Sequence, residues 1–339
     1  MRKYLLPKDG AFYKSNLHCH STCSDGGRTP EQLKEIYKKL GYSVLAITDH
    51  DVLLPHDELN DAEFLTLHGF EVEIGENIDG VHYSKHRCCH LCAIALDEDN
   101  IVQPCWSGRY TWGRAHDLMH LVKVDENEPE FIREYTGENI SLMIDTFVKK
   151  GFFVTYNHPN WSRERYTEYM SYDGMHAMEM FNGGCIVEGY EDYNPRVYED
   201  LLSRGEPLYC IGADDNHNWQ PDDSPYWDSG IAFTMIKAKE LTYSSITNAL
   251  MNGDFYASEG PEIYSLWIED NKIHIECSPA VHIDCMCEGR SSQPRITKNG
   301  EYMTHAEFEY RPECGWFRIT LRDKEGKYAC TNAYFPDAE

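Results

Sequence analysis

The chain has 339 residues, 41% of them hydrophobic, with 57 acidic against 31 basic side chains and a formal charge of −26. That length and apolar share support one large domain, or one large and one small, whereas the acidic surface repels phosphodiester backbones and makes a nucleic-acid polymer an unexpected partner. No run of about 18 apolar residues offers a membrane span, Met1 to Gly10 lacks the apolar core of a signal peptide, and the odd set of 13 cysteines, without zinc-finger spacing, reads as reduced buried thiols in a cytoplasmic protein.

Asn16-Leu17-His18-Cys19-His20 reads as a strand whose two imidazoles, at i and i+2, share one face. The loop after it holds Asp25. Thr29, Pro30 and Gln32 form a capping box for a helix with Leu33, Ile36, Tyr37 and Leu40 on one side, ending at Gly41. Val44-Leu45-Ala46-Ile47 does not alternate, which is the pattern of a strand buried on both faces of a parallel sheet. Asp49, His50 and Asp51 follow it. A third strand, 64–74, contains Glu71 and Glu73, which alternate-residue geometry allows to point the same way.

His90 opens a fourth strand, 90–95, and so stands at the wrong end for the pattern of functional groups after strands. Residues 97–127, with Trp106, Trp112, His116 and His120, read as an irregular insertion, taken as surface elaboration with a lid as the alternative. A helix over 131–150 closes at Gly151, and strand 152–156 leads into Asn157-His158-Pro159. Strand 175–181 ends in Asn182-Gly183-Gly184, Asn194-Pro195 starts a helix with Val197, Leu201 and Leu202, and strand 208–212 delivers Asp214, Asp215 and His217. Beyond Gly230 come a strand, a helix at 244–252, and strands at 264–269, 272–277, 307–310, 316–321 and 327–331, a small antiparallel unit.

The metal-capable side chains cluster at strand ends. Burying so many titratable groups without a cation would be costly, although a set of satisfied core polar groups is the bland alternative. Imidazole and carboxylate together, with no thiolate cluster, suit Zn, Mn or Fe.

Together, His18-Cys19-His20, Asp25, Thr48-Asp49-His50, Gly69-Phe70-Glu71, His90, Asn157-His158-Pro159 and Asp215-Asn216-His217 resemble the motif set of the PHP (polymerase and histidinol phosphatase) metal-dependent hydrolases. The resemblance runs in order over roughly residues 15–220. The stretch Gly253 to Pro261, the turn Cys277-Ser278-Pro279 and the segment Arg318 to Phe335 are similar to the tail of the branch that includes carbaryl-hydrolase-like proteins.

The resemblance implies an α/β fold: a distorted (β/α)7 barrel over residues 1–260, with the insertion at about 97–127, and a small C-terminal antiparallel β domain over 261–339. It implies two or three divalent metal ions at the carboxyl ends of the strands. His18, His20, Glu71 and Asp215 would hold one, Glu71 would bridge to a second held by His90 and His158, and Asp25, His50 and His217 would hold a third. Asp25 stands where other members can have histidine.

The expected reaction is hydrolysis of a small phosphorylated substrate by a hydroxide shared between cations about 3.5–4 Å apart, with Asp215 or His217 supplying a proton to the leaving group. The alternatives are an amide, carbamate or ester hydrolase, and a non-catalytic metal-binding scaffold. Asp49, Asp51 and Asp214 are expected to orient ligand imidazoles, or in the case of Asp49 to cap a turn. Arg28, Lys85, Arg163 and Arg165 are candidates for a substrate phosphate or for solvated loop charges, and Trp161 and Phe181 for ring stacking or core packing. A small-molecule substrate and no membrane contact are expected, and the sequence fixes no oligomeric state.

Overall fold

The computed structural model describes residues 2–191 and 193–336. A short strand β1 (Lys3–Tyr4) precedes β2 (Ala11–Asn16). Helix α1 (Pro30–Lys39) starts as its capping box requires: the Gln32 backbone N–H donates to Thr29 Oγ1 at 3.3 Å and the Thr29 N–H to Gln32 Oε1 at 3.0 Å. It buries Leu33 and Tyr37 in one apolar cluster with Leu45 and Ile47 of β3 (Val44–Ile47), whose residues are all buried, as the unbroken apolar run demands.

The chain continues through β4 (Leu65–Gly75), β5 (Cys88–Ala95), α2 (Gly113–Leu118), α3 (Gly137–Lys149) and β6 (Phe152–Tyr156). Helix α3 begins under the cap of Thr136 and not at Phe131. The Asn139 side chain accepts from Glu134 N and donates to Ile132 O, which satisfies the preceding backbone without helix. Then come α4 (Tyr166–Tyr169), β7 (Ala177–Asn182), α5 (Gly183–Val187), α6 (Pro195–Leu202), β8 (Tyr209–Ala213), β9 (Phe233–Ala238), α7 (Tyr243–Asn252) and β10 (Phe255–Ser258). Strands β11 (Ile263–Glu269), β12 (Lys272–Ala280), β13 (His282–Cys287), β14 (Ser291–Ile296), β15 (Met303–Glu309), β16 (Phe317–Arg322) and β17 (Tyr328–Thr331) complete the order. The sequence reading missed β13 and β14. Strand β14 carries Pro294 and lies at a sheet edge, where proline is tolerated but argues against a strand when read in isolation.

The result is a mixed α/β architecture. Thirteen strands share one sheet in the order β14-β13-β16-β17-β10-β9-β2-β3-β4-β5-β6-β7-β8, and a separate four-stranded antiparallel sheet runs β1-β11-β12-β15. Parallel pairing joins β2 to β3, β3 to β4, β6 to β7 and β7 to β8. Strand β5 is antiparallel to both its neighbours, so the expected strict βα alternation breaks there.

That reversal explains His90. The start of an antiparallel strand lies at the same rim as the ends of its parallel neighbours, and His90 pairs with Glu73 near the end of β4. No continuous ladder closes the sheet between β8 and β2. The segments just past those two strands meet, where His20 N donates to Asn216 O at 3.1 Å and Asp215 N to His18 O at 2.9 Å. One apolar cluster draws residues from every strand from β3 to β10, including Val44, Leu67, Ile94, Phe153, Ile211 and Ile236, and is covered by Tyr243, Ile246 and Leu250 of α7. No helix among the described residues is long and apolar enough to cross a membrane, and none of the described cysteines is in a disulfide.

The strands after β10 are tied to the rest by buried polar groups. Arg318, 2% exposed, donates to Glu199 Oε1 of α6 at 2.7 Å. The Asn332 side chain accepts from Cys210 N at 2.9 Å and donates to Gly253 O and Phe255 O at 3.0 Å each, fastening the start of β8 to β10. Replacing Asn332 with alanine orphans one N–H and two carbonyls away from water, so Asn332→Ala is expected to cost about 2–4 kcal/mol. Urea denaturation checks this as a lowered midpoint at an unchanged slope.

Candidate metal centre

His18 and His20 lie beyond a strand, not within one. Strand β2 ends at Asn16 because that side chain takes over the backbone partners: its Oδ1 accepts from His18 N at 3.3 Å and Asp214 N at 2.9 Å, and its Nδ2 donates to Tyr37 Oη at 2.8 Å. Only Cys19 keeps a bridge, parallel to Asn216. Both imidazoles remain fully buried. The turn that follows needs Gly26, where a Cβ would meet the His20 carbonyl oxygen at 2.4 Å.

The other donors arrive at the same rim from β3, β4, β5, β6 and β8. His50 bridges to Glu71 of β4, Asn157 N donates to His90 O at 3.0 Å and so seats His158, and Asp215 and His217 follow β8. His158 and Asp215 have φ of +25° and +50°, sparsely populated values for residues with a side chain, and such strain concentrates at functional sites.

All nine side chains singled out in the sequence converge. Glu71, 1% exposed, faces five imidazoles: His18 Nε2 at 3.2 Å, His90 Nδ1 at 3.1 Å, His50 Nδ1 at 3.3 Å, His20 Nε2 at 3.4 Å and His158 Nε2 at 3.4 Å. Asp215 lies 3.2 Å from His18 Nε2, 3.1 Å from His20 Nε2 and 3.6 Å from His158 Nε2. Asp25 reaches His217 Nε2 at 3.2 Å and stands 3.6 Å from His20 Nδ1 and 3.8 Å from His50 Nε2.

This arrangement fits cations. His18 Nε2 and His20 Nε2 point at each other 3.1 Å apart, while the buried His20 Nδ1 and His90 Nε2 have no hydrogen-bond partner. Among the groups whose ligand atoms lie within 4.8 Å of one another are His20, Asp25, His50 and His217; His18, His158 and Asp215; and Glu71, His90 and His158. His20 therefore offers Nδ1 to the group of Asp25, His50 and His217, while its Nε2 lies 3.1 Å from Asp215, where the resemblance had assigned it to the group of His18 and Asp215 alone.

Charge coupling is strong. Burial opposes protonation of His18, His20 and His90, but Asp215 and Glu71 outweigh it at His18 and His20, and Glu71 with Cys88 at His90, so that all three are raised above the ordinary imidazole range. Burial likewise opposes ionisation of Glu71, Asp215 and Asp25, and the surrounding imidazoles overcome it and hold all three below the usual carboxylate range. His50 is the exception, pushed down to about 4 by burial and then by His20.

Three supporting residues had no role in the sequence reading, although Asn157 and Asn182 stand in segments it singled out. Glu179 Oε1 lies 2.7 Å from His18 Nδ1, and its Oε2 accepts from His158 N at 2.9 Å and from Asn182 Nδ2 at 2.7 Å. Asn182 Nδ2 also reaches Asp215 Oδ2 at 3.2 Å, and Asn157 Nδ2 donates to Glu71 Oε1 at 2.9 Å. Glu179 was detectable as the lone acid inside the apolar run Ala177-Met178-Glu179-Met180-Phe181.

The aspartates expected to orient imidazoles hold loops instead. Asp49 accepts from the backbone and hydroxyl groups of Ser21 and Ser24, which is its turn-capping reading. Asp214 accepts from Tyr37 Oη and from Gly230, Ile231 and Ala232 N, and Asp51 pairs with the buried Arg133.

The insertion is more than surface elaboration. Arg114 donates to Ser24 O and Gly26 O, Gln103 bridges Asp51 O and Leu53 N, and the Trp112 ring stands 5.8 Å from that of His50. Through Trp112 it contributes to the wall of a cavity of about 590 Å³ whose floor includes seven of the nine donors, all but His18 and His20. A cavity of about 280 Å³ behind the insertion, near Trp106 and Glu130, contains none of the nine. Trp161 lines the larger cavity, whereas Phe181 is core, stacked on Tyr193 at 5.3 Å. None of Arg28, Lys85, Arg163 and Arg165 lines that cavity, and Arg28 donates to Gly27 O and Gln220 O.

The model of the PHP domain matches residues 16–204. Over 225 aligned residues the chain is 37% identical to a 5'-3' exoribonuclease of Haemophilus influenzae, an alignment covering 50% of this chain and 80% of that protein. Among solved structures, a two-domain protein of Bacteroides vulgatus containing a predicted PHP-like metal-dependent phosphoesterase is similar at a TM-score of 0.44 and 15% identity, covering 98% of this chain and 97% of that one. An amidohydrolase of Chromobacterium violaceum, with bound sulfate and no metal, is similar at a TM-score of 0.37 and 17% identity, covering 63% of this chain and 93% of that one.

Imidazoles must be neutral to ligate a cation, so binding near neutral pH has to strip protons from His18, His20 and His90. Calorimetric titration of metal-free protein in buffers of different ionisation enthalpy is expected to report net proton release near pH 7, and affinity is expected to fall as the pH drops towards 5. Glu179→Gln is expected to weaken metal binding about 10–100-fold, the usual cost of removing a group that orients a ligand imidazole.

Proposed function

The chain belongs to the PHP domain family, and from that premise we propose that it is a metal-dependent phosphoesterase acting on a small phosphorylated molecule. The observation that carries this reading is Glu71, a buried carboxylate ringed by five imidazoles at the floor of a cavity open to solvent. The strand ring is read as a distorted seven-unit barrel, because a single apolar cluster takes residues from each strand from β3 to β10 under the cover of α7. In this reading residues 1–260 form the hydrolase unit, and 261–339 form a β domain that braces it through the pairing of β10 with β17.

Two or three divalent ions, Zn, Mn or Fe by donor chemistry, would be held by His18, His20, Glu71 and Asp215, by Glu71, His90 and His158, and by Asp25, His50 and His217. When bound, such cations supply Lewis acidity at a phosphoryl oxygen and make water a competent nucleophile near neutral pH.

The protein's own groups do the rest. Glu179 and Asn182 hold His18 and Asp215 in register. Asp215, kept ionised, is an acceptor and not a donor. His217, raised above the ordinary imidazole range despite burial and with a side chain 28% exposed at the cavity wall, is the group positioned to give a proton to a departing oxygen. A cation in the outer group would engage the same imidazole, so this role belongs to the form with two ions.

The RNA-cleaving activity of the Haemophilus relative is not carried over to this chain. The net charge of −26 and the carboxylates of Glu73 and Glu188 at the mouth oppose a polynucleotide, which leaves a small cytoplasmic substrate. A second reading, hydrolysis of an amide, carbamate or ester, is favoured by one feature: no lysine or arginine is among the described residues lining the cavity, and an uncharged substrate needs none.

A panel of p-nitrophenyl phosphate beside aryl carbamates and carboxylic esters, run with each divalent metal, separates the two readings. Phosphate release is expected, lost on chelation, and lowered at least about 100-fold in Asp215→Asn. Cleavage of carbamate or ester with no phosphate release would establish the second reading, and an inert metal-replete protein would establish a scaffold.

A further inference from the structure

The wall above the donor cluster is aromatic. Trp112, Trp161, Trp219 and Tyr226 line the cavity, and three of them stand strongly exposed, at 52% for Trp112, 63% for Trp219 and 64% for Tyr226. Large rings left in water forgo about 1.5–3 kcal/mol of burial each, so a group of them at one mouth marks a surface that a ligand covers.

Two of these rings sit close to the reacting floor. Trp161 packs edge-on against His90 at 5.3 Å and His158 at 5.1 Å and donates from Nε1 to Glu188 at 2.6 Å, while Trp112 tilts over His50 at 5.8 Å. A substrate group bonded directly, or through one or two atoms, to the scissile oxygen would lie against them.

The charges near the mouth point the same way. Arg114 is engaged by Ser24 O and Gly26 O and lies 5.7 Å over the Trp219 ring, and Arg28 is engaged by Gly27 O and Gln220 O. The side chains that do line the cavity beside the rings include Glu73 and Glu188. A second negative charge on the substrate would meet these carboxylates, with no lysine or arginine among the described residues that line the cavity.

We infer that the site takes an ester whose non-reacting part is a planar aromatic or heteroaromatic ring without negative charge, packed against Trp112, Trp161 and Trp219. This deepens the proposed hydrolase function and rests on it only for the cleavage step. Ring packing of this kind raises affinity by about 2–12-fold beyond the effect of area alone, and the carboxylates of Glu73 and Glu188 disfavour sugar bisphosphates and nucleotide chains.

The test compares substrates with matched primary alkoxide leaving groups. Metal-replete protein is assayed on benzyl phosphate against butyl phosphate, and benzylphosphonate and butylphosphonate binding is measured by calorimetry. At least a tenfold advantage for the benzyl member is expected in both pairs, carried in KM and in Kd, and Trp112→Ala and Trp219→Ala are expected to bring both ratios towards one. A 4-carboxybenzyl phosphate is expected to lose the advantage.

Equal turnover and equal binding within the pairs would overturn the inference while leaving the phosphoesterase reading intact. Preferential benzylphosphonate binding without turnover of either phosphate would overturn that reading and leave the inference standing. Absence of both binding and turnover would overturn both.

Discussion

The structure turns on one buried carboxylate. Glu71 can stay ionised at 1% exposure only because five imidazoles from four separate chain segments surround it, and those imidazoles can be packed together only because Glu71 and Asp215 offset their charge. Neither half is stable without the other. The large sheet answers this constraint by delivering each donor to one rim. Four parallel pairings bring strand ends to that rim, and a single reversed strand brings a strand start.

Around this centre a ring of side-chain amides and carboxylates replaces the backbone ladder that the sheet does not complete. Asn16 ends β2 and accepts from Asp214 N, Glu179 ties His18 to His158, and Asn182 ties Glu179 to Asp215. The Asn16–Asp214 bond crosses the gap between β8 and β2, Glu179 joins β7 to the segment after β2, and Asn182 joins β7 to the segment after β8, so part of the seam lies in the floor of the cavity. Backbone bonds from His20 and Asp215 complete that closure, and the strain at His158 and Asp215 collects beside it.

Much of this was legible in the sequence. The donors stand out because polar, titratable residues abruptly follow apolar runs, and Thr29 with Gln32, the unbroken run Val44 to Ile47 and strand 152–156 carry local signals that tertiary packing did not override. What escaped needed partners far away in the chain. Nothing local states that β5 runs backwards, that Asn16 would rather bind Asp214 than extend a strand, or that Arg114 would pin the loop at Ser24 and Gly26. Asp51 and Asp214, and one of the two readings of Asp49, misled for the same reason. Proximity in sequence to a ligand suggested contact with it, whereas their oxygens serve hydroxyl, guanidinium and backbone donors on the opposite side.

The grip of Asn332 on Cys210 sets an order of events during synthesis. A ribosome delivers His18 and His20 well before Asp215, and Asp215 well before Asn332, so the brace on the strand that presents Asp215 is still absent when Asp215 itself has been made. Contacts so distant in sequence form slowly. The emerging chain therefore holds its earliest histidines before it can complete the pocket, and assembly of the centre waits on a brace made after all nine donors.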